Sequence, residues 1–147
     1  MNIRHKALIL VADGKRFLLL RNAGDFRKPA LMFEGGGEQE NPATSEQGSD
    51  QPGRASGSVG SARSSIEQTD FHQLEEDRFA GEVAELLGKL AKANDFEELI
   101  VAAPPRTLAE LRKCFNKSVS SRIVAEVAKD LTKHPVNEIA EILARDG

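Results

Sequence analysis

The stretch DFEELIVAAPPRTLAEL, residues 95–111, decides the fold. Its apolar run at residues 99–103 contains no polar side chain, which predicts a strand covered on both faces, as in a sheet between layers of helices. Pro104-Pro105 ends this strand, because proline can neither continue a sheet ladder nor lie inside a helix. The next helix is predicted to open on Thr107, with Glu110 completing a capping box. A central strand followed by a capped helix is half of a β-α-β unit, and ligands of open α/β sheets bind at such strand ends.

Three strands are predicted before this stretch. Residues 7–12 and 16–21 are strand candidates on either side of Asp13-Gly14, a hairpin signal, and residues 31–33 form a third candidate. The second strand contains the apolar run 17–20. A long amphipathic helix is predicted to begin at Asp70 as its N-cap. The apolar residues of this helix recur at intervals of mostly three and four: Phe71, Leu74, Phe79, Val83, Leu86, Leu87 and Leu90.

The C-terminal part begins with a segment whose periodicity fits two structures. Residues 119–131 match a helix face and also match strand alternation, so the pattern leaves both readings open. A final helix is predicted from Val136, directly after Pro135. The resulting order, β-β-(β)-loop-α-β-α-(β)-α, predicts an α/β fold in which a mixed sheet carries packed helices. The length of 147 residues predicts one domain, residues 1–147.

Residues 34–65 differ sharply in composition from the rest of the chain. Val59 is their one large apolar residue, and Gly, Ser, Gln, Glu and Asn dominate. Such a segment buries too little surface to offset its ordering entropy, so a mobile Gly/Ser-rich insert is predicted. The glycines at 35–37 are interpreted as part of this loop rather than as a phosphate-binding nest, because the strand and helix context of a P-loop is missing.

Composition restricts the function classes. The net charge of −3 argues against non-specific electrostatic binding of nucleic acid by the whole surface, but it is compatible with a local basic patch. Cys114, the single cysteine, excludes an internal disulfide and a CxxC metal site, and is expected to be a buried thiol. The apolar run at 7–12 is too short for a signal sequence or a membrane span. A soluble, cytoplasmic protein without a membrane partner is expected.

No catalytic residue, metal site or cofactor is predicted. The carboxylates that could serve a two-metal nuclease are Asp13, Glu34 and Asp70, but a turn explains Asp13 and a helix cap explains Asp70 better. His72 is the one histidine near the polar segment, and no Ser or Cys is visibly paired with it.

Four stretches together resemble a bacterial family labelled as proteins required for attachment to host cells. They are EQGSDQPGR (46–54), SVGSARSSIEQTDFHQLEEDRFAGEVAELL (58–87), LIVAAPPRTLAELRK (99–113) and VAEVAKDLTKHPVNEIAEIL (124–143). Members of that family are similar in turn to the middle domain of eukaryotic and archaeal release factors and of the Pelota rescue factors. The resemblance implies an RNase H-like α/β architecture, and it implies a strand at residues 123–128.

The resemblance also indicates what is missing. In release factors the loop before the long helix carries Gly-Gly-Gln, which helps water to hydrolyse peptidyl-tRNA. The matching region here, residues 53–67, lacks this tripeptide, and the nearest approach, Gly36-Gly37-Glu38-Gln39, lies too early and is interrupted by Glu38. The resemblance therefore does not extend to this activity.

Three functions are weighed on these grounds. The first is a non-catalytic binding module that associates with the ribosome or RNA through its Gly/Ser/Arg loop. The second is a cytoplasmic protein-interaction factor that affects attachment indirectly, and the third is a hydrolase using His72. No particular oligomeric state is indicated. The candidate binding residues are Gly53, Arg54, Ser58, Arg63, Ser64, Glu67, Asp70, His72 and Arg106.

Overall fold

The computed structural model describes the backbone of residues 1–38 and 56–146, and the side chains of residues 1–38 and 73–146. The strands are β1 (Leu8–Ala12), β2 (Arg16–Asn22), β3 (Leu31–Glu38), β4 (Leu99–Ala102) and β5 (Ile123–Val127). The helices are α1 (Ser56–Lys92), α2 (Pro105–Cys114), α3 (Lys117–Ser120) and α4 (Val136–Arg145).

The five strands form one mixed sheet in the order β3-β2-β1-β4-β5. The first three strands are an antiparallel meander, and β1, β4 and β5 run parallel to one another. The crossover from the meander to β4 contains α1, and the crossover from β4 to β5 contains α2 and α3. The predicted α/β class with a mixed sheet is confirmed.

Both faces of the central strands are buried, as the uniform apolar runs predict. Leu10 and Val101 point to one face, where they pack with α1, α2 and α3. Ile9 and Ile100 point to the other face, where they pack with α4. All residues of β1 and β4 are buried, so the sheet lies between two layers of helices.

The third strand is longer than the sequence indicated. It extends to Glu38, so residues 34–38 of the predicted mobile insert belong to the sheet. The glycines at 35–37 pair with residues 17–19 of β2. A Cβ at Gly37 would lie 2.9 Å from Cε1 of Phe17, whose ring contacts Phe79 of α1 with centroids 6.0 Å apart. The glycine thus gives the aromatic ring the space to pack on the helix.

The long helix begins at Ser56, not at Asp70. Asp70 lies within the helix, so its predicted role as N-cap is wrong, and residues 56–65 of the predicted insert are helical. Gly and Ser at these positions are poor helix formers, but once the packed second half of α1 has formed, each added residue gains a hydrogen bond. Residues 39–55, the remainder of the insert, lie outside the described residues.

Leu74 is not on the buried face of α1. It is 63% exposed, whereas Phe79, Val83 and Leu87 are buried against the sheet. Leu74 lies five positions before Phe79 in the helix. At 100° per position this is one full turn plus about 140°, so Leu74 points away from the packed stripe.

Two details of the C-terminal half also differ from expectation, and the segment whose pattern left two readings open is resolved. Helix α2 begins at Pro105, whose missing N–H costs nothing at a helix start, and no side chain caps it, so the Thr107–Glu110 capping box is wrong. Cys114 is exposed, because the buried face of α2 is formed by Leu108 and Leu111. Val119 is buried in the short helix α3, while the implied strand is confirmed as β5.

Candidate functional site

The carboxyl ends of the parallel strands β1, β4 and β5 meet at one edge of the sheet, here called the carboxyl edge. Asp13 follows β1, Pro104 and Arg106 follow β4, and Asp130 follows β5. This is the position at which open α/β sheets gather ligands.

Asp13 organises the first hairpin at this edge. Its Oδ1 accepts hydrogen bonds from the backbone N–H groups of Lys15 and Arg16, both at 2.7 Å. The N–H of Asp13 donates to the carbonyl of Arg16 at 3.0 Å, which places Gly14 and Lys15 at the hairpin tip. The expectation that a turn explains Asp13 is confirmed.

The same carboxylate connects the hairpin to the end of β5. The hydroxyl of Thr132 lies 3.1 Å from Oδ2 of Asp13 and 2.6 Å from Oδ1 of Asp130. Partial burial opposes ionisation of Asp130. The hydrogen bonds from Thr132 and the nearby charges of Lys133 and Arg16 outweigh it, so the pKa of Asp130 lies below its ordinary value. The Nε of Arg16 is buried 3.6 Å from Asp13, without a hydrogen-bond partner among the described residues.

Arg106 is the one predicted site residue whose side chain the structure describes. It is exposed in the first turn of α2 and lines a small crevice between α2, α1 and the hairpin. The other residues lining this crevice are Gly14, Gln73, Glu76, Asp77, Ala80, Thr107 and Glu110. Three of these are carboxylates, so the crevice itself is not a basic pocket for phosphate.

The remaining predicted site residues lie outside the described side chains. Gly53 and Arg54 fall within residues 39–55. Helix α1 carries the others, namely Ser58, Arg63, Ser64, Glu67, Asp70 and His72. Because Gln73 lines the Arg106 crevice, α1 leads from these residues directly to the carboxyl edge.

Two of the three carboxylates weighed for a nuclease, Asp13 and Glu34, do not converge, and the side chain of Asp70 lies outside the described residues. Asp13 lies at the carboxyl edge, whereas Glu34 accepts a hydrogen bond from Arg21, which also binds Asp95 just before β4 at the opposite edge. Burial disfavours the charge of Arg21, but its bonds to Glu34 and Asp95 outweigh this and raise its pKa. Among the residues that the structure describes, no group of three or more His, Cys, Asp or Glu could hold a metal ion.

Cys114 lacks the features of a nucleophile. Partial burial and the carboxylates of Glu110 and Asp77 raise the pKa of its thiol, although Lys113 acts in the other direction. At neutral pH the thiol is therefore predominantly protonated.

Sequence reasoning missed an exposed group at the opposite edge of the sheet. The loop of residues 23–30, between β2 and β3, presents Phe26, Arg27 and Lys28 on the surface. Asp25 directly before Phe-Arg-Lys is the signal in the sequence that could have identified this group.

The model of a protein family described as Bacterial archaeo-eukaryotic release factor family 12 matches residues 6–143. The match runs from just before β1 into α4 and so includes the entire sheet. No curated protein matches the chain. Within the described residues, no helix is long and apolar enough to cross a membrane.

Proposed function

Because the chain belongs to bacterial archaeo-eukaryotic release factor family 12, we propose that it is a translation-related binding module that associates with the ribosome or with RNA. The family match over residues 6–143 is the observation that carries this proposal. The resemblance to release-factor middle domains, carried by four stretches within the matched residues, agrees with this assignment.

The proposal includes an RNase H-like arrangement within a single domain of residues 1–147. Its support is the mixed five-stranded sheet, in which a three-stranded meander precedes two parallel strands. Helices on both faces of that sheet support it further. The label concerns topology and brings no nuclease chemistry with it, since Asp13 and Glu34 lie at opposite edges.

The module is proposed to be non-catalytic. The sequence contains no Gly-Gly-Gln, and its nearest approach begins with Gly36 and Gly37, which pair with β2. Gly36 lies against the backbone carbonyl of Phe17, and Gly37 lies against the Phe17 ring. Those glycines serve the packing of the sheet and do not form a reaching loop. For a hydrolase using His72, Cys114 would be the one thiol available, and the raised pKa of that thiol disfavours the thiolate form.

The working end of the module is proposed to be the segment from Gly53 to Glu67, continued along α1 to Asp70 and His72. Arg54 and Arg63 are its charged fork donors, suited to bidentate contacts with phosphate. The Gly and Ser residues around them, including Ser58 and Ser64, would let a backbone approach closely. Arg106 stands at the carboxyl edge that α1 reaches at Gln73, so it would extend the same surface.

We further propose that the protein acts in the cytoplasm and that its resemblance to host-attachment proteins reflects an indirect effect of translation on attachment. The alternative function is a cytoplasmic protein-interaction factor, which would affect host attachment indirectly without binding RNA.

The double variant Arg54→Ala/Arg63→Ala tests the proposal when it is pelleted with purified ribosomes over a range of salt concentrations. We expect weaker association at unchanged thermal stability, with a salt slope reduced by about 0.7–0.9 for each phosphate that the arginines no longer neutralise. The double variant Lys89→Ala/Lys92→Ala is the matched control, because it removes the same charge from the far end of α1. Unchanged ribosome binding by the Arg54→Ala/Arg63→Ala variant would contradict the proposed role of these arginines in binding phosphate. Unfolding of the variant would show that the arginines are structural.

A further inference from the structure

The loop of residues 23–30 is held rigidly from within. Asn22, 0% exposed, donates from Nδ2 to the carbonyls of Ile3 and Arg4 at 2.8 and 3.1 Å. Its Oδ1 accepts hydrogen bonds from the N–H groups of Gly24 and Ala30, both at 2.9 Å. One buried side chain thus ties both ends of the loop to the segment before β1.

The tip of the loop is fixed in the same manner. Oδ1 of Asp25 accepts hydrogen bonds from the N–H groups of Arg27 and Lys28, both at 2.9 Å. The loop also closes tightly around Gly24, where a Cβ would lie 2.2 Å from the carbonyl oxygen of Lys28. Nδ1 of His5 contacts the carbonyl of Gly24 at 2.7 Å from outside. The conformation of the tip is therefore set before any partner binds.

This rigid tip presents an aromatic ring and two cations to solvent. Phe26 is 52% exposed, and the guanidinium carbon of Arg27 lies 5.5 Å from the centroid of its ring. Lys28 is exposed beside them. No ion pair joins Arg27 or Lys28 to a carboxylate among the described residues, in contrast to Arg4, which pairs with Glu98, and Arg21, which pairs with Glu34 and Asp95.

We propose that Phe26, Arg27 and Lys28 form a binding surface for single-stranded RNA. An exposed aromatic ring beside an arginine is a platform on which an unpaired base can stack, and adjacent cations neutralise the flanking phosphates. Pre-ordering of the loop removes the entropy that a flexible loop would lose on binding. This surface deepens the proposed function and rests on it, because it specifies unpaired RNA as the part of the partner that the loop contacts.

The charges around the loop, together with the exposed ring, favour this partner over an acidic protein surface. Lys6 is exposed on the segment next to the loop, so the cationic character continues beyond Lys28. The one carboxylate of the loop, Asp25, accepts hydrogen bonds from the N–H groups of Arg27 and Lys28. Of the three carboxylates that line the neighbouring cleft, Asp95 and Glu98 are paired with Arg21 and Arg4, and Glu97 is exposed. The exposed Phe26 ring separates RNA from an acidic protein surface, because an unpaired base can stack on the ring.

The test is a titration of the full chain into a fluorescein-labelled, unstructured 12-nucleotide RNA, followed by fluorescence anisotropy. Phe26→Ala and Phe26→Leu should each weaken binding by about tenfold, whereas Phe26→Tyr should retain it, because stacking requires an aromatic ring. Arg27→Ala/Lys28→Ala should weaken binding and reduce the salt slope by about 1.4, or about 0.7 for each single-strand phosphate contact. Phe33→Ala is the matched aromatic control, since Phe33 is 60% exposed on β3, and Lys89→Ala/Lys92→Ala controls for charge.

Several results would overturn this inference. They are the absence of RNA binding by the wild-type chain at low salt, full binding by Phe26→Leu, or equal weakening with Phe33→Ala. If the loop variants bind the oligonucleotide like wild type but no longer pellet with ribosomes, the loop contacts a protein instead. The proposed function fails separately, when the wild-type chain does not associate with ribosomes at all.

Discussion

At the scale of single residues, the Thr132 hydroxyl fixes the end of β5 beside the first hairpin, and it makes stability depend on pH. The pKa of Asp130 is lowered from its ordinary value of 3.8, so its contribution to stability is present above that value and is lost as the pH falls through the folded-state pKa. Thr132→Val removes the donated hydrogen bond and should lower the free energy of unfolding at pH 7 by roughly 1 kcal/mol. In urea denaturation, the difference in the free energy of unfolding between wild type and Thr132→Val should become smaller as the pH falls from about 5 to below 3.8. A difference in the free energy of unfolding that stays constant with pH would mean that the Thr132 hydroxyl does not stabilise ionised Asp130.

Two neighbouring glycines of β3 offer a second test at this scale. A Cβ at Gly36 would lie 2.7 Å from the backbone carbonyl oxygen of Phe17, whereas nothing lies within 4 Å of a Cβ at Gly35. Gly36→Ala should therefore destabilise the protein by about 1–3 kcal/mol, because backbone atoms must shift. Gly35→Ala should change stability by less than about 0.5 kcal/mol. Equal effects in chemical denaturation would mean that β3 does not pair with β2 in this register.

At the scale of elements, stability depends on how β4 is packed between the two helix layers. Ile100 faces α4 and Val101 faces α1, and both are at most 1% exposed. Replacing either by Ala should cost on the order of 1–4 kcal/mol through reduced burial and the cavity left behind. Leu74→Ala is the control on α1 and should cost less than about 0.5 kcal/mol, because Leu74 is largely exposed. A small cost at Ile100 would place β4 at an exposed edge.

Elements with continuous apolar runs could be predicted from the sequence, and elements positioned by their neighbours could not. The runs in β1 and β4 have no polar residue, so burial on both faces was their one stable outcome. The start of α1 was misplaced, because local composition around Ser56 opposes a helix, whereas the helix extends there from its packed second half. The cap expected at Thr107 was displaced by Pro105, which already provides a suitable helix start.

At the scale of the whole molecule, the functional surfaces were harder to predict than the core. Arg106 is the one predicted site residue with a described side chain. It lies at the carboxyl ends of the strands, where the helix that follows β4 begins. The loop bearing Phe26 was missed, because its rigidity depends on Asn22 contacting residues about 20 positions earlier in the chain. A sequence pattern records local spacing and does not report such long-range hydrogen bonds.

The most direct measurement is sedimentation of the tagged full chain through a sucrose gradient of cell lysate at low ionic strength. If the chain is a translation-related binding module, it should migrate with ribosomal particles and follow one subunit when magnesium is removed. It should also move toward the top of the gradient as the salt concentration is raised, because its contacts with RNA are electrostatic. A folded chain that remains at the top of the gradient at low ionic strength would contradict association with the ribosome.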